Sequence, residues 1–258
     1  MSDAASLKDV EWLFFDVFGT VADWKSHISA SLCRISKTVE PEAYEAHLKP
    51  DDAFWQGRAQ EWRTRFMKHI RTKLGNREPG GMDEVHGLLL DELVKEWGVE
   101  DKWTKEARLE AVREWHALPG WADSTDGLKR LNKKFILSTL TNGDTAVMIK
   151  MCRRSQLTVD NHITGDTIGT YKPDKAMYLQ AIRLSRLDAS KVAMVAAHAY
   201  DLDAAKSHGM RTIYIKRPTE DASDPITEES AKGRFDMFID IGGQEKGGLV
   251  ALAEKFGL

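Results

Sequence analysis

A carboxylate directly follows a short apolar run near the start of the chain. Residues 12–15 read Trp-Leu-Phe-Phe, which is typical of a buried strand, and Asp16 stands at the carboxyl end of that run. In open parallel α/β sheets the carboxyl ends of the strands border the ligand crevice, so a carboxylate there is placed to act on a ligand. The alternative is that Asp16 only caps the next helix, which predicts an isolated carboxylate.

Other polar side chains recur at the same place, just after a predicted strand. Thr141 and Asn142 follow one apolar stretch, and His198 and Asp201 follow another. Because parallel strands present their carboxyl ends at one edge of a sheet, we expect these side chains to gather near Asp16. His198 could instead cap the helix after it or bond within the core.

Lys172 lies in a loop and precedes Pro173, a residue that suits the first turn of a helix. A lone lysine is usually solvated. A cation beside Asp16, however, would lower the pKa of that carboxyl and keep it anionic, as a nucleophilic carboxylate requires. Tyr178 follows about one and a half helical turns later and could hydrogen-bond nearby, although a buried core tyrosine explains it nearly as well.

Composition and charge limit the class of partner. The 258 residues are 42% hydrophobic and carry a formal net charge of −3, which allows a large core. No basic stripe or polybasic run points to nucleic acid or a membrane surface, and no segment resembles a signal core or a membrane span. Cys33 and Cys152 lack metal-ligand spacing and do not suggest a disulfide framework, which fits a reducing cytoplasm. Small molecules are the expected partners.

The chain changes character after the first predicted strand and again near residue 117. Apolar residues at helical spacing predict an all-helical segment over 21–116, interrupted by a glycine-rich break at 75–81. The predicted helices of this segment are 24–38, 53–74, 83–97 and 104–115. Such a segment, placed after the first strand, could form a lid over the crevice.

Beyond residue 117, strands and helices alternate, which predicts a parallel sheet covered on both faces. The predicted later strands are 134–140, 162–164, 192–196, 212–215 and 237–241. The expected fold class is therefore α/β: a Rossmann-like core with a parallel sheet, formed by 1–20 and 117–258, and an inserted α-helical cap domain, formed by 21–116. The polar stretch 217–234 is expected to be a surface loop of little consequence.

Four short motifs occur in an order that resembles the haloacid dehalogenase superfamily. They are Asp-Val-Phe-Gly-Thr at 16–20, Thr-Leu-Thr-Asn-Gly at 139–143, Tyr-Lys-Pro-Asp at 171–174 and Ala-Ala-His-Ala-Tyr-Asp at 196–201. The resemblance covers nearly the whole chain, and four ordered motifs are more specific than any one of them. Within the superfamily, the chain most resembles the L-2-haloacid dehalogenases (type II).

The choice between carbon–halogen and phosphate-ester cleavage depends on the position two residues after Asp16. Phosphatases of this superfamily carry a second aspartate there, which protonates the leaving alkoxide, and they use Mg²⁺ held by acidic ligands in the last motif. This chain has Phe18 at that position. In its last motif, Asp201 is the one acidic residue that comes before Asp203, so acidic ligands for Mg²⁺ are few. A halide leaves without a proton, so the pattern favours a dehalogenase that works without a metal or other cofactor.

The resemblance also implies roles for individual residues. Asp16 would attack C2 of an L-2-haloalkanoic acid, forming an ester that water then hydrolyses to a 2-hydroxyacid. Lys172 would orient Asp16, while His198 and Asp201 would prepare the water. The implied substrate-binding groups are Thr141, the backbone N–H groups of Val17 and Phe18, and Asn142 beside the departing halide. Thr20 could hydrogen-bond Asp16.

The chain departs from the dehalogenase pattern in two places. Those enzymes usually carry Ser-Ser-Asn where residues 196–198 are Ala-Ala-His. They also place an arginine next to a tryptophan over the halide. Alignment on Trp55 puts Gln56 at that position, and Arg58 is the nearest cation, although a solvated helix face explains Arg58 equally well.

The sequence therefore predicts a hydrolase acting on carbon–halide bonds, an (S)-2-haloacid dehalogenase, and the resemblance implies a possible homodimer. Two alternatives stay open. One is a Mg²⁺-dependent small-molecule phosphatase with altered motifs, and the other is a weakly active member that binds small carboxylates.

Overall fold

The computed structural model describes residues 7–72, 81–240 and 247–258. The chain divides into two compact units, a core unit of Met1–Ala22 with Gly120–Leu258 and a helical unit of Asp23–Pro119. Of the glycine-rich break predicted at 75–81, only Gly81 falls within the described residues. Over the described ranges, no helix is both long and apolar enough to cross a membrane.

The helical unit contains five helices in its described part. They are α1 (Trp24–Val39), α2 (Pro41–Ala46), α3 (Ala53–Thr72), α4 (Met82–Glu96) and α5 (Lys105–Glu114). α1 begins where the Asp23 carboxylate accepts a hydrogen bond from the N–H of Ser26 at 3.1 Å, and it buries Ile28 and Leu32 on one face. Four of the helices agree with the prediction. α2 was missed because a helix of six residues with no buried side chain shows no apolar period.

The core unit is a six-stranded parallel sheet in the order β3-β2-β1-β4-β5-β6. The strands are β1 (Trp12–Phe15), β2 (Ile136–Thr141), β3 (Asn161–Thr164), β4 (Val192–Ala196), β5 (Arg211–Ile215) and β6 (Met237–Ile239). The accompanying helices are α6 (Ser124–Leu131), α7 (Thr145–Arg154), α8 (Gly165–Ile168), α9 (Lys175–Ser185), α10 (Ala199–Ser207), α11 (Glu228–Ala231) and α12 (Gly248–Lys255). The predicted α/β class with a parallel sheet is confirmed.

Strand β1 lies in the middle of the sheet, and its register decides which later residues end beside Asp16. Phe15 pairs with Thr139 of β2 on one side and with Val195 of β4 on the other. The N–H of Asp16 donates to the carbonyl of Val195 at 3.0 Å. Because these three strands run in the same direction, the residues that follow each of them come out at one edge.

The stretch 217–234 is more than a surface loop, so that prediction was wrong. Arg217 is buried and makes a two-pronged ion pair with Asp123, with N–O distances of 2.6 and 2.9 Å. Its Nε donates to the carbonyl of Thr20 at 2.9 Å, and Asp123 also accepts from the N–H of Leu249. A buried ion pair satisfied in this way holds its backbone partners in place. It therefore ties the start of this stretch to the turn after Asp16.

Candidate active site

The Asp16 carboxylate lies at the centre of a buried hydrogen-bond network in the core unit. Only 6% of the residue is exposed. Its Oδ1 accepts from Lys172 Nζ at 2.7 Å. Its Oδ2 accepts from the Thr20 hydroxyl at 2.7 Å and lies 2.9 Å from His198 Nδ1. The helix-cap alternative predicted an isolated carboxylate, but Asp16 has the three side-chain partners Lys172, Thr20 and His198.

The network keeps Asp16 ionised. Burial by itself favours the protonated acid, but the charge of Lys172 and the hydrogen bond and charge of His198 outweigh it and lower the pKa of Asp16 far below its usual value. A carboxylate that stays anionic in a site nearly closed to water is suited to nucleophilic attack.

Lys172 bridges two carboxylates. Its ammonium group is 1% exposed and lies 2.7 Å from Asp16 and 2.5 Å from Asp201. Burial opposes its charge, but the two carboxylates raise the pKa of Lys172 well above the ordinary value, so it remains a cation. The hydroxyl of Tyr178 donates to the other oxygen of Asp201 at 2.6 Å. Burial and the charge of Asp16 raise the pKa of Asp201.

Asn142 holds the backbone of Lys172. The Asn142 side-chain oxygen accepts from the N–H of Lys172 at 2.6 Å, and its amide nitrogen donates to the Lys172 carbonyl at 3.3 Å. These two hydrogen bonds between the loops fix the backbone position of Lys172, from which the lysine side chain extends. The amide that the sequence assigned to the halide is thus engaged with the chain itself, and its halide role stays a prediction.

The side chain of Thr20 links two strand ends. Its hydroxyl donates to Asp16 and accepts from the N–H of Ala197 at 2.9 Å. Thr141 lies at the end of β2, where its hydroxyl accepts from the N–H of Gly143 at 3.2 Å. Val17 and Phe18 are buried in the turn after β1. The structure therefore places these predicted binding residues at the same edge of the sheet as Asp16.

A carboxylate that the sequence interpretation missed completes the site. Glu220 Oε2 lies 2.9 Å from His198 Nε2, and 8% of the Glu220 side chain is exposed. Burial disfavours the charged imidazole, but hydrogen bonds to Asp16 and Glu220 raise the pKa of His198 well above its usual value. With a carboxylate oxygen 2.9 Å from each ring nitrogen, the surroundings of His198 favour the imidazolium form.

The Glu220 side chain approaches the turn after β1 closely at Gly19. A Cβ built on Gly19 would lie 2.4 Å from the Glu220 side chain, and Gly19 has a φ of +89°, which side chains rarely adopt. The next residue, Asp221, accepts from the N–H of Ala199 at 2.8 Å, at the first turn of α10. Glu220 and Asp221, which lie in the stretch predicted to be a surface loop, thus bond to His198 and to the residue after it.

Comparisons with known proteins agree with this arrangement. A family model described as haloacid dehalogenase-like hydrolase matches residues 10–209. The chain belongs to the haloacid dehalogenase-like hydrolases. Among curated relatives of this hydrolase, (S)-2-haloacid dehalogenase 4A of Burkholderia cepacia is 23% identical over 206 residues, which are 79% of this chain and 81% of that protein.

Two solved structures are similar to this hydrolase over most of its length. The L-2-haloacid dehalogenase PA0810 is 28% identical with a TM-score of 0.76, covering 96% of this chain and 99% of its own. The defluorinating L-2-haloacid dehalogenase Rha0230 is also 28% identical, with a TM-score of 0.78 and 96% of each chain covered. The predicted membership of the superfamily is confirmed.

The helical unit of this hydrolase gives Arg58 partners of its own. The guanidinium makes two bonds to Glu40, at 2.7 and 3.2 Å, and lies 4.4 Å from the ring centres of both Phe54 and Trp97. Gln56 donates its amide to a backbone carbonyl of the neighbouring turn. Arg58 is thus a buried residue and does not lie on a solvated helix face, and its substrate-binding role stays a prediction.

In the described residues of this hydrolase, no group of three or more His, Cys, Asp or Glu side chains is arranged to hold a metal ion. The cations that face Asp16 in the network are side chains of the chain itself, Lys172 and His198.

Proposed function

We propose that this protein hydrolyses short L-2-haloalkanoic acids to 2-hydroxyacids through an ester on Asp16, without a metal ion. One observation carries the proposal: an ionised, buried carboxylate whose two oxygens have different surroundings. Oδ2 is engaged by Thr20 and His198, whereas Oδ1 has Lys172 as its one hydrogen-bond donor among the described residues. A carboxylate oxygen has two in-plane lone pairs. Oδ1 therefore keeps one for attack on carbon.

The first step forms a bond between Oδ1 and C2 of the substrate while the carbon–halogen bond breaks and the halide leaves with its electron pair. No proton is needed by the halide, which fits Phe18 at the position where phosphatases of the superfamily carry an acid. Thr141 and the N–H groups of Val17 and Phe18 are proposed to bind the substrate carboxylate, because they lie at the same sheet edge. Halide contacts are assigned to Asn142 and Arg58.

In the second step, water attacks Cγ of Asp16 and the ester opens, so that Oδ1 leaves with the product. Lys172, 2.7 Å from Oδ1, is placed to offset the charge on the departing alkoxide. Asp201 is proposed to accept a proton from the water, since its raised pKa makes it the stronger base of the two aspartates.

The decisive experiment measures chloride release from L-2-chloropropionate in the presence of EDTA. The parent protein should release chloride, and Asp16→Asn should lower kcat by about 10⁴-fold or more. Asp203→Asn is the matched control, because Asp203 lies on α10 in an exposed ion pair with Arg234. Release of phosphate from a generic ester with Mg²⁺, and none of chloride, would favour the phosphatase alternative instead. Ligand-induced stabilisation without turnover would favour a binding role.

The homodimer and the cytoplasmic location also belong to the proposal. The first rests on resemblance and the second on cysteine usage; Cys33 and Cys152 are both free and buried. Light scattering during size-exclusion chromatography would measure the mass of the assembly.

A further inference from the structure

The imidazole of His198 is held between two carboxylates that come from different parts of the core unit. Nδ1 faces Oδ2 of Asp16, which directly follows β1, and Nε2 faces Oε2 of Glu220, which lies in the stretch after β5; each distance is 2.9 Å. The other oxygen of Glu220 accepts from the Thr219 hydroxyl at 2.9 Å. The ring therefore has a fixed orientation, with one N–H aimed at the oxygen of Asp16 that does not attack carbon.

Two donors converge on that oxygen. The Thr20 hydroxyl and His198 Nδ1 approach Oδ2 at 2.7 and 2.9 Å, the distances that suit donors to an oxyanion. In the Asp16 ester, Oδ2 is the carbonyl oxygen. When water adds to Cγ, the π-electron pair of the carbonyl moves onto Oδ2, and negative charge develops between these donors.

Formation of the ester removes the charge of Asp16. Of the two carboxylates hydrogen-bonded to His198, Glu220 is the one that stays anionic at that stage. We propose that Glu220 is a positioning residue that keeps His198 protonated after ester formation, so that His198 Nδ1–H and the Thr20 hydroxyl together stabilise the oxyanion of ester hydrolysis. This inference rests on the proposed function.

The atoms balance over the two steps. Water adds its oxygen to Cγ and gives up a proton, the tetrahedral intermediate collapses with the pair on Oδ2 re-forming the carbonyl, and the Cγ–Oδ1 bond breaks. The departing alkoxide takes one proton and becomes the hydroxyl of the product. One further proton is released when the new Asp16 carboxyl ionises, matching the halide released in the first step.

Other titratable groups near the imidazole do not replace Glu220. The ring of Tyr200 lies 5.7 Å from that of His198. Asp221 acts on His198 through its charge, but its carboxylate accepts from the N–H of Ala199. The hydrogen bond to His198 Nε2 is made by Glu220 and by neither of these two groups.

The test is Glu220→Gln, a change that keeps the shape and an acceptor oxygen but removes the charge. With L-2-chloropropionate, the variant should release a burst of one chloride per site at a rate within about threefold of the parent. Ester hydrolysis should then be slower by about tenfold or more, a modest part of the effect of losing an oxyanion donor. Intact-mass analysis should detect the accumulated adduct on the peptide that contains Asp16.

The pH profile distinguishes this role from a merely structural one. Without the charge of Glu220, the pKa of His198 falls, so the alkaline limb of kcat should move to lower pH in Glu220→Gln. Glu11→Gln, in an exposed ion pair with Lys191, is the matched control and should leave both the burst and the limb unchanged. The inference would be overturned if Glu220→Gln slowed ester formation and ester hydrolysis equally, accumulated no adduct and left the alkaline limb of the kcat profile at the same pH.

A second measurement keeps the inference testable if the variant does not fold. Nitrogen NMR of the histidines in the parent protein at pH 7.5 should find both ring nitrogens of His198 protonated, and a neutral ring would overturn the inference. This measurement does not depend on turnover. Absence of halide release by the parent with every short 2-haloacid would therefore reject the proposed function, while the NMR result separately decides the state of the His198–Glu220 pair.

Discussion

Two buried ion-pair clusters lie in different units of the molecule and are built differently. In the helical unit, one cation, Arg58, meets one carboxylate, Glu40, which also accepts from the indole N–H of Trp103 at 2.7 Å. In the core unit, the two cations Lys172 and His198 face three carboxylates, those of Asp16, Asp201 and Glu220. The first cluster is balanced in charge and the second is not.

The difference shows how a charge-balanced ion pair can be distinguished from a cluster of charges that holds a reactive carboxylate. Around Arg58, aromatic rings cover the guanidinium, and its two hydrogen bonds to Glu40 pair one buried cation with one buried carboxylate. In the core unit, the pKa of Asp16 is lowered and that of Asp201 is raised, so Asp201 binds a proton more readily than its neighbour Asp16. Such divergence is typical of functional sites.

The largest effect is expected from Lys172→Met, which removes the bridge in the core cluster. The variant leaves Asp16 and Asp201 buried beside each other with their shared cation gone. We expect a loss of about 3–5 kcal/mol in the free energy of unfolding, together with loss of chloride release. Urea denaturation at pH 7 measures the first. A fully stable variant would show that the bridge is not needed to hold the two carboxylates.

Next comes Arg58→Met, which should cost about 3 kcal/mol because Glu40 is left buried without its ion-pair partner. The double change Arg58→Met with Glu40→Met should recover most of that loss, since it removes both charges. The KM for L-2-chloropropionate in the stable double variant then tests the predicted substrate role. An unchanged KM would mark the pair as structural, and a raised KM would support the binding role.

A smaller effect is expected from Tyr178→Phe, which removes one donor to Asp201 and leaves the Lys172 bridge. The variant should lose about 1–2 kcal/mol of stability, the cost of one hydrogen bond to a buried charged group. Its kcat should fall only several-fold, with the burst of chloride preserved. A loss as large as that of Lys172→Met would mean that the tyrosine hydroxyl, and not the ammonium, is the main partner of Asp201.

The smallest effect is a pH dependence of stability from His198. Its pKa is raised in the folded protein, so folding is favoured by the protonated ring. That contribution is fully present below the ordinary value of 6.5 and is lost as the pH rises through the folded pKa. The stability difference between the parent and His198→Gln should therefore narrow from pH 6 towards alkaline pH. Urea denaturation at a series of pH values measures it, and a difference that widens would contradict the assignment.

Much of the core could be predicted because its signals are local. A run of apolar residues identifies a buried strand, and strands β1, β2 and β4 lie close to their predicted positions. The parallel arrangement of the core then brought Asp16, Lys172, His198 and Asp201 within reach of one another. The start of α10 at Ala199 depends on a remote residue, because the N–H of Ala199 donates to the side chain of the distant Asp221.

The contacts of Asn142, Arg58 and Glu220 were not predictable in the same way. Each depends on a partner far along the chain: Asn142 on Lys172, Arg58 on Glu40, and Glu220 on His198. Acids in a segment rich in Pro, Ser and Asp give no period and no apolar face, so nothing local distinguishes Glu220 from a solvated residue. The close approach of Glu220 to Gly19 indicates that Glu220 belongs to the site, but that approach can be seen only in the folded structure.

The sequence by itself determined the parallel α/β core, the helical segment inserted after β1 and the set of motif residues at the strand ends. These follow from apolar periodicity and from the common direction of parallel strands, both of which act over short stretches of chain. Only the tertiary structure decided which carboxylates share Lys172, that Glu40 takes up Arg58 and that Glu220 faces the imidazole of His198. Those pairings depend on distances between residues that are remote in the chain, because charge and hydrogen bonding act through space.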